Sequence, residues 1–111
     1  RLILADALAW TVDKLKPDYI IDIATLTGAC IIALGEIVAG YPSSDERLAE
    51  WIFKAGERTG ERLWRLPLYR EYGDDIKSDM ADMSNVAPGR KAGTIIGAVF
   101  LKNFVGKIPW A

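Results

Sequence analysis

The sequence predicts an α/β fold, part of a mixed, largely parallel sheet flanked by helices, and three observations carry that prediction. Tyr19-Ile20-Ile21-Asp22-Ile23 is an almost unbroken apolar run, and its lack of polar alternation marks a strand covered on both faces, as in parallel sheets. A helical repeat precedes the run, so the first unit reads as helix, then buried strand. The strand discharges into Ala24-Thr25-Leu26-Thr27-Gly28-Ala29-Cys30, small and hydroxyl-bearing residues, and ligands of parallel sheets collect outside the carboxyl ends of the strands.

Each element follows in order. Leu4, Leu8, Val12 and Leu15 recur at helical spacing over residues 2–16, and Pro17 closes that helix. Residues 29–34 form a short helix whose unpaired N–H groups point back at the 25–28 loop, with Gly35 as its stop. Residues 36–41 read as a short strand and Pro42-Ser43-Ser44 as a turn. A second long helix follows. Ser43 and Glu46 have capping-box spacing, Leu48, Trp51, Ile52 and Ala55 share a face, and Gly60 ends it. Residues 63–68, interrupted by Pro67, suit an edge strand or extended connector. Residues 69–89 turn polar, the composition of a functional, partly helical loop. A last apolar helix spans 93–105 through Ile95, Ile96, Val99, Phe100 and Phe104, ended by Gly106.

Composition narrows the chemistry. Fourteen basic against fifteen acidic residues give a net charge of −1, without the basic stripe that nucleic acid requires. Apolar stretches fall short of the roughly 18 residues of a membrane span, which with the single Cys30 points to a cytoplasmic protein with no membrane partner. With no His, a Ser-His-Asp triad has no base. Gly35 and Gly40 have phosphate-loop spacing, but Tyr41-Pro42 stands where Lys and a hydroxyl residue would be needed. Asp79 and Asp82, three apart, suit a shared helix face, yet two acids alone hold a divalent ion weakly, and solvated or capping roles compete. Asp22 within the apolar run demands a partner or a raised pKa, and a structural hydrogen bond is the favoured role. The chain opens on Arg1-Leu2-Ile3 and closes on Ile108-Pro109-Trp110-Ala111, where an apolar strand starts, so a piece of a longer protein is expected.

Arg1-Leu2-Ile3-Leu4-Ala5-Asp6-Ala7-Leu8, Asp22-Ile23-Ala24-Thr25-Leu26-Thr27-Gly28-Ala29-Cys30 and Gly60-Glu61-Arg62-Leu63-Trp64-Arg65-Leu66-Pro67-Leu68 resemble the leucyl aminopeptidase family, the cytosol-type dinuclear metallopeptidases. Ala81-Asp82-Met83-Ser84-Asn85-Val86 and Ala92-Gly93 extend the likeness along the whole chain. The resemblance implies a fragment, residues 1–111, of a C-terminal catalytic domain. It also implies an aminopeptidase that releases leucine-like N-terminal residues by two-metal hydrolysis. Arg1 matches the family's catalytic arginine, thought to hold a bicarbonate. Thr25, Leu26 and Gly28 match substrate-binding positions, and Val86 a wall of the side-chain pocket. The ligands of the two divalent ions, manganese or zinc, lie upstream in the family, so no metal ligand is expected here and the isolated fragment is expected to be inactive. The peptide substrate and a homohexamer are implied partners. Tyr41-Pro42-Ser43 departs from the family pattern. A non-enzymatic α/β scaffold or interaction module derived from such an enzyme is the alternative.

Overall fold

Helix α1 (Leu2–Leu15) turns Ala5 and Leu8 into the core, with Leu4 and Val12 at its margin, while Leu15 is exposed. It ends where Lys16 adopts a left-handed conformation and donates its N–H to Thr11 O, because Pro17 cannot continue the helix. The computed structural model describes residues 1–79, 81–85, 89 and 91–111.

Beyond Pro17 the chain pairs in parallel with its own far end. Ile20 bridges Trp110, its N–H donating to Pro109 O at 2.8 Å, while Ala111 N–H donates to Ile20 O and Asp22 N–H to Ala111 O. The expected strand, covered on both faces, is reduced to that bridge: Ile23 is 97% exposed and Ile21 half exposed. The cause is pairing. Among the described residues the ladder has one neighbour only, its hydrogen bonds reach from Ile20 to Asp22, and none involves Ile23.

Helix α2 (Ala29–Leu34) follows the loop and stops at Gly35, as the sequence predicts. Strands β1 (Ala39–Tyr41) and β2 (Leu63–Arg65) pair in parallel, Gly40 opposite Trp64, and α3 (Glu46–Thr59) connects them as a βαβ unit. Strand β1 is shorter than residues 36–41 because its parallel partner opens only at Leu63, just after α3 ends at Gly60, so residues 36–38 have no strand opposite them. Every strand pairing among the described residues is parallel, which agrees with the predicted α/β class.

The cap of α3 differs from the expected one. Asp45, not Ser43, takes the cap position, its Oδ1 accepting Leu48 N–H at 2.8 Å. Ser43 is buried, with its hydroxyl 3.0 Å from Trp110 O, so a distant contact has claimed it. The buried face of α3 is correspondingly Leu48, Ala49 and Gly56, while Trp51 turns outward beneath the Arg47 guanidinium.

A 3-10 helix (Arg70–Ile76) buries Ile76 and packs beside α4 (Gly93–Lys102). Helix α4 ends three residues earlier than expected because Asn103 donates its side-chain amide to Val99 O and Phe100 O, taking up terminal carbonyls. Turns through Gly106 then lead to Trp110. Ala98, Phe100, Leu101 and Val105 close on Ala5, Leu8, Ile20 and Trp110 to form the core, where a large apolar side chain contributes roughly 1.5–3 kcal/mol.

Candidate functional site

Residues 25–28 join the Ile20 bridge to α2, and local hydrogen bonds shape them. Thr27 Oγ1 accepts Ala29 N–H at 3.2 Å, Thr27 O accepts Cys30 N–H, and Gly28 O accepts Ile32 N–H to begin the helix. A threonine hydroxyl suits this task because it bonds its own backbone two residues on. Thr25 and Gly28 are exposed, and a Cβ on Gly28 would meet open space. Leu26 lies partly buried against the core.

Arg1 comes to the same place from the start of α1. Its guanidinium donates through Nη1 to Asn85 O and through Nη2 to Gly93 O, the latter at 3.3 Å. Gly97 receives both Arg1 and Leu26: a Cβ there would lie 2.8 Å from Leu26 Cδ2 and 3.3 Å from Arg1 Cζ and Nε. Arg1 and Leu26 therefore meet over one turn of α4, with exposed Thr25 and Gly28 beside Leu26 in the chain. Val86 lies outside the described residues.

Other candidates stand apart from this cluster. Asp79 and Asp82 are exposed and occupy bends, so they share no helix face. Asp22 accepts the Trp110 indole N–H at 2.5 Å; burial raises its pKa, and that hydrogen bond partly offsets the rise. Cys30 helps line an apolar cavity of about 290 Å³ between α2, Leu66 and the start of α4. A second cavity, about 450 Å³, lies between the 3-10 helix and α4. Neither is lined by Arg1, Thr25, Leu26 or Gly28. Among the described residues no three His, Cys, Asp or Glu side chains are grouped to hold a metal ion. No helix among them is long and apolar enough to cross a membrane.

Thr27, Gly93 and the carbonyl of Asn85 are the site components that the sequence did not reveal. The signals were slight: a hydroxyl residue two before a helix start, and a glycine at the first position of another.

Parallel pairing, the βαβ connection and a loop that meets an arginine over a helix define the chain as an α/β segment with its polar cluster at one end. The model of the cytosol aminopeptidase family, catalytic domain, matches residues 1–111. A probable cytosol aminopeptidase of Chlorobaculum tepidum is 59% identical over 100% of this chain and 22% of its own length. That of Brucella melitensis is 56% identical over 100% of this chain and 23% of its own. A solved structure of a tomato leucine aminopeptidase mutant superposes with a TM-score of 0.92 at 45% identity, covering 98% of this chain and 21% of that one. The chain belongs to the cytosol aminopeptidase family. It spans about a fifth of the length of these relatives.

Proposed function

We propose that residues 1–111 are part of the C-terminal catalytic domain of a cytoplasmic aminopeptidase that hydrolyses the first peptide bond of a substrate and releases leucine-like N-terminal residues. The observation that carries this reading is the match to the family's catalytic domain over every residue of the chain. In it Arg1 is the catalytic residue, Thr25, Leu26, Gly28 and Val86 bind the substrate, and the assembly is a homohexamer. The segment itself has neither a nucleic-acid nor a membrane partner.

Two divalent ions, manganese or zinc, belong to the reading, but the described residues do not fit them, since they group no set of three ligands. The isolated segment is inactive. What this chain contributes is placement. Two of the five N–H donors of Arg1 are spent on Asn85 O and Gly93 O, which hold the planar fork still. The remaining donors suit a planar oxyanion such as bicarbonate, which a guanidinium grips bidentately. Thr25 and Leu26 make no main-chain hydrogen bond among the described residues, which leaves their peptide groups for an extended substrate. Gly28, lacking a Cβ, lets that substrate approach.

The test is release of p-nitroaniline from leucine p-nitroanilide by the full-length protein, stripped with chelator and resupplied with manganese or zinc. Turnover restored by either metal is expected, and a drop of roughly tenfold or more in kcat with Arg1→Lys, which keeps the charge but loses the fork. No turnover with either metal overturns the reading.

A further inference from the structure

One turn before Gly97, Gly93 is a second point at which the two halves of the candidate site touch. Its carbonyl accepts Arg1 Nη2 at 3.3 Å, and its Cα faces the loop: a Cβ there would lie 3.0 Å from Ala29 Cβ and 3.6 Å from Thr27 Oγ1. Thr27 Oγ1 in turn accepts Ala29 N–H, fixing the turn that leads out of residues 25–28. Ala92, immediately before, holds a left-handed conformation with φ of 46°, a strained geometry for a residue bearing a Cβ, and it is the cap from which α4 starts at Gly93.

We infer that Gly93 and Thr27 are positioning residues: Gly93 sets the distance between the arginine and the substrate-facing loop, and Thr27 sets the shape of that loop. Neither needs to touch substrate. The inference rests on the aminopeptidase reading and deepens it, because it says which groups hold the substrate loop in register with Arg1. The two faces of Gly93 make different predictions. A methyl group at position 93 leaves the carbonyl, and so Arg1, in place. It presses on Ala29, where a contact at 3.0 Å forces a displacement of a few tenths of an ångström at the half-buried start of α2. The loop moves and the arginine does not.

The experiment is steady-state kinetics of the full-length enzyme on leucine p-nitroanilide with manganese supplied. Gly93→Ala is expected to raise KM roughly tenfold with kcat held within about twofold, since sub-ångström misplacement acts on substrate fit. Ala29→Gly, which removes the opposing methyl, is expected to return KM toward the parent value in the double variant. Thr27→Val, which keeps the shape and loses the acceptor, is expected to raise KM similarly, and Thr27→Ser to restore it. If Gly93→Ala proves insoluble, the Thr27 pair decides alone. Unchanged KM in both Gly93→Ala and Thr27→Val, a loss confined to kcat, or a rise that Ala29→Gly and Thr27→Ser fail to reverse overturns the inference. Wild-type enzyme without turnover overturns the aminopeptidase reading and this inference with it, whereas an active wild type with silent variants overturns this inference alone.

Discussion

Trp110 donates its indole N–H to the Asp22 carboxylate across 2.5 Å, and the two residues also lie in the short parallel ladder that Ile20 begins. A carboxylate in an apolar run thus finds one donor from the opposite end of the chain. Burial still raises its pKa above the ordinary 3.8, the hydrogen bond lowering it by less. The folded chain therefore binds this proton more tightly than the unfolded chain. Its contribution to stability is fully present below the ordinary value and lost as pH rises through the folded one. Asp22→Asn keeps an acceptor for the indole and removes the charge. Thermal melts across this window are expected to show the variant gaining on wild type as pH rises. A difference that stays flat or shrinks counts against the linkage.

Trp110→Phe should cost about 2 kcal/mol or more, because it leaves a part-buried carboxylate without its donor as well as shrinking a side chain that is 2% exposed. In an Asp22→Asn background the loss should be smaller. Denaturant titrations of the four chains check this, and strict additivity would mean that the two groups do not communicate.

Gly56 sits buried near the end of α3, where a Cβ would lie 2.5 Å from Glu61 O and 2.8 Å from Leu63 Cδ1. Alanine is worth about 1 kcal/mol more than glycine in a helix interior, but the clash is with backbone, and overpacking costs about 1–3 kcal/mol. The steric term wins. Gly56→Ala is expected to lower the midpoint of chemical unfolding, and an unchanged or raised midpoint would show that β2 can retreat.

Asp45→Ala removes the cap of α3 and should cost about 1 kcal/mol, whereas Asp45→Ser should recover most of it. Ser43→Ala should also destabilise, for a different reason: it deletes a buried hydroxyl that accepts Asp45 N–H and bonds Trp110 O. Denaturant melts of the three variants separate a cap from a cross-chain tie. A silent Asp45→Ala would return the capping role to Ser43.

What could be read from residue order was whatever local chemistry decides. The apolar spacing of Leu4, Leu8 and Val12, and the stops at Gly35 and Gly60, found their elements because positive-φ glycines and helical periodicity need no distant partner, whereas Gly106 lies beyond an end that Asn103 sets for α4. Ser43 shows where such reasoning fails. Ser43, Ser44 and Asp45 can each cap, and only the Trp110 carbonyl, 67 residues away from Ser43, decides among them. Ile21 and Ile23 fail for the converse reason, since the pattern of a covered strand survives in the sequence whether or not its neighbours are present. At the candidate site the resemblance supplied Arg1 and the loop. Asn85 O left no trace because a main-chain acceptor has no signature in residue type, and Gly93 showed only as a glycine at a helix start, since what its Cα faces depends on the distant Ala29.

The peptide of Trp110 accepts from Ser44 N–H, donates to Ser44 Oγ and sits beside the Ile20 bridge, so one late residue ties together segments made much earlier. During synthesis neither Ile20 nor the turn before α3 can settle until that residue has left the ribosome. Closing contacts over so long a stretch of chain costs loop entropy before the contacts reward it, and that slows folding.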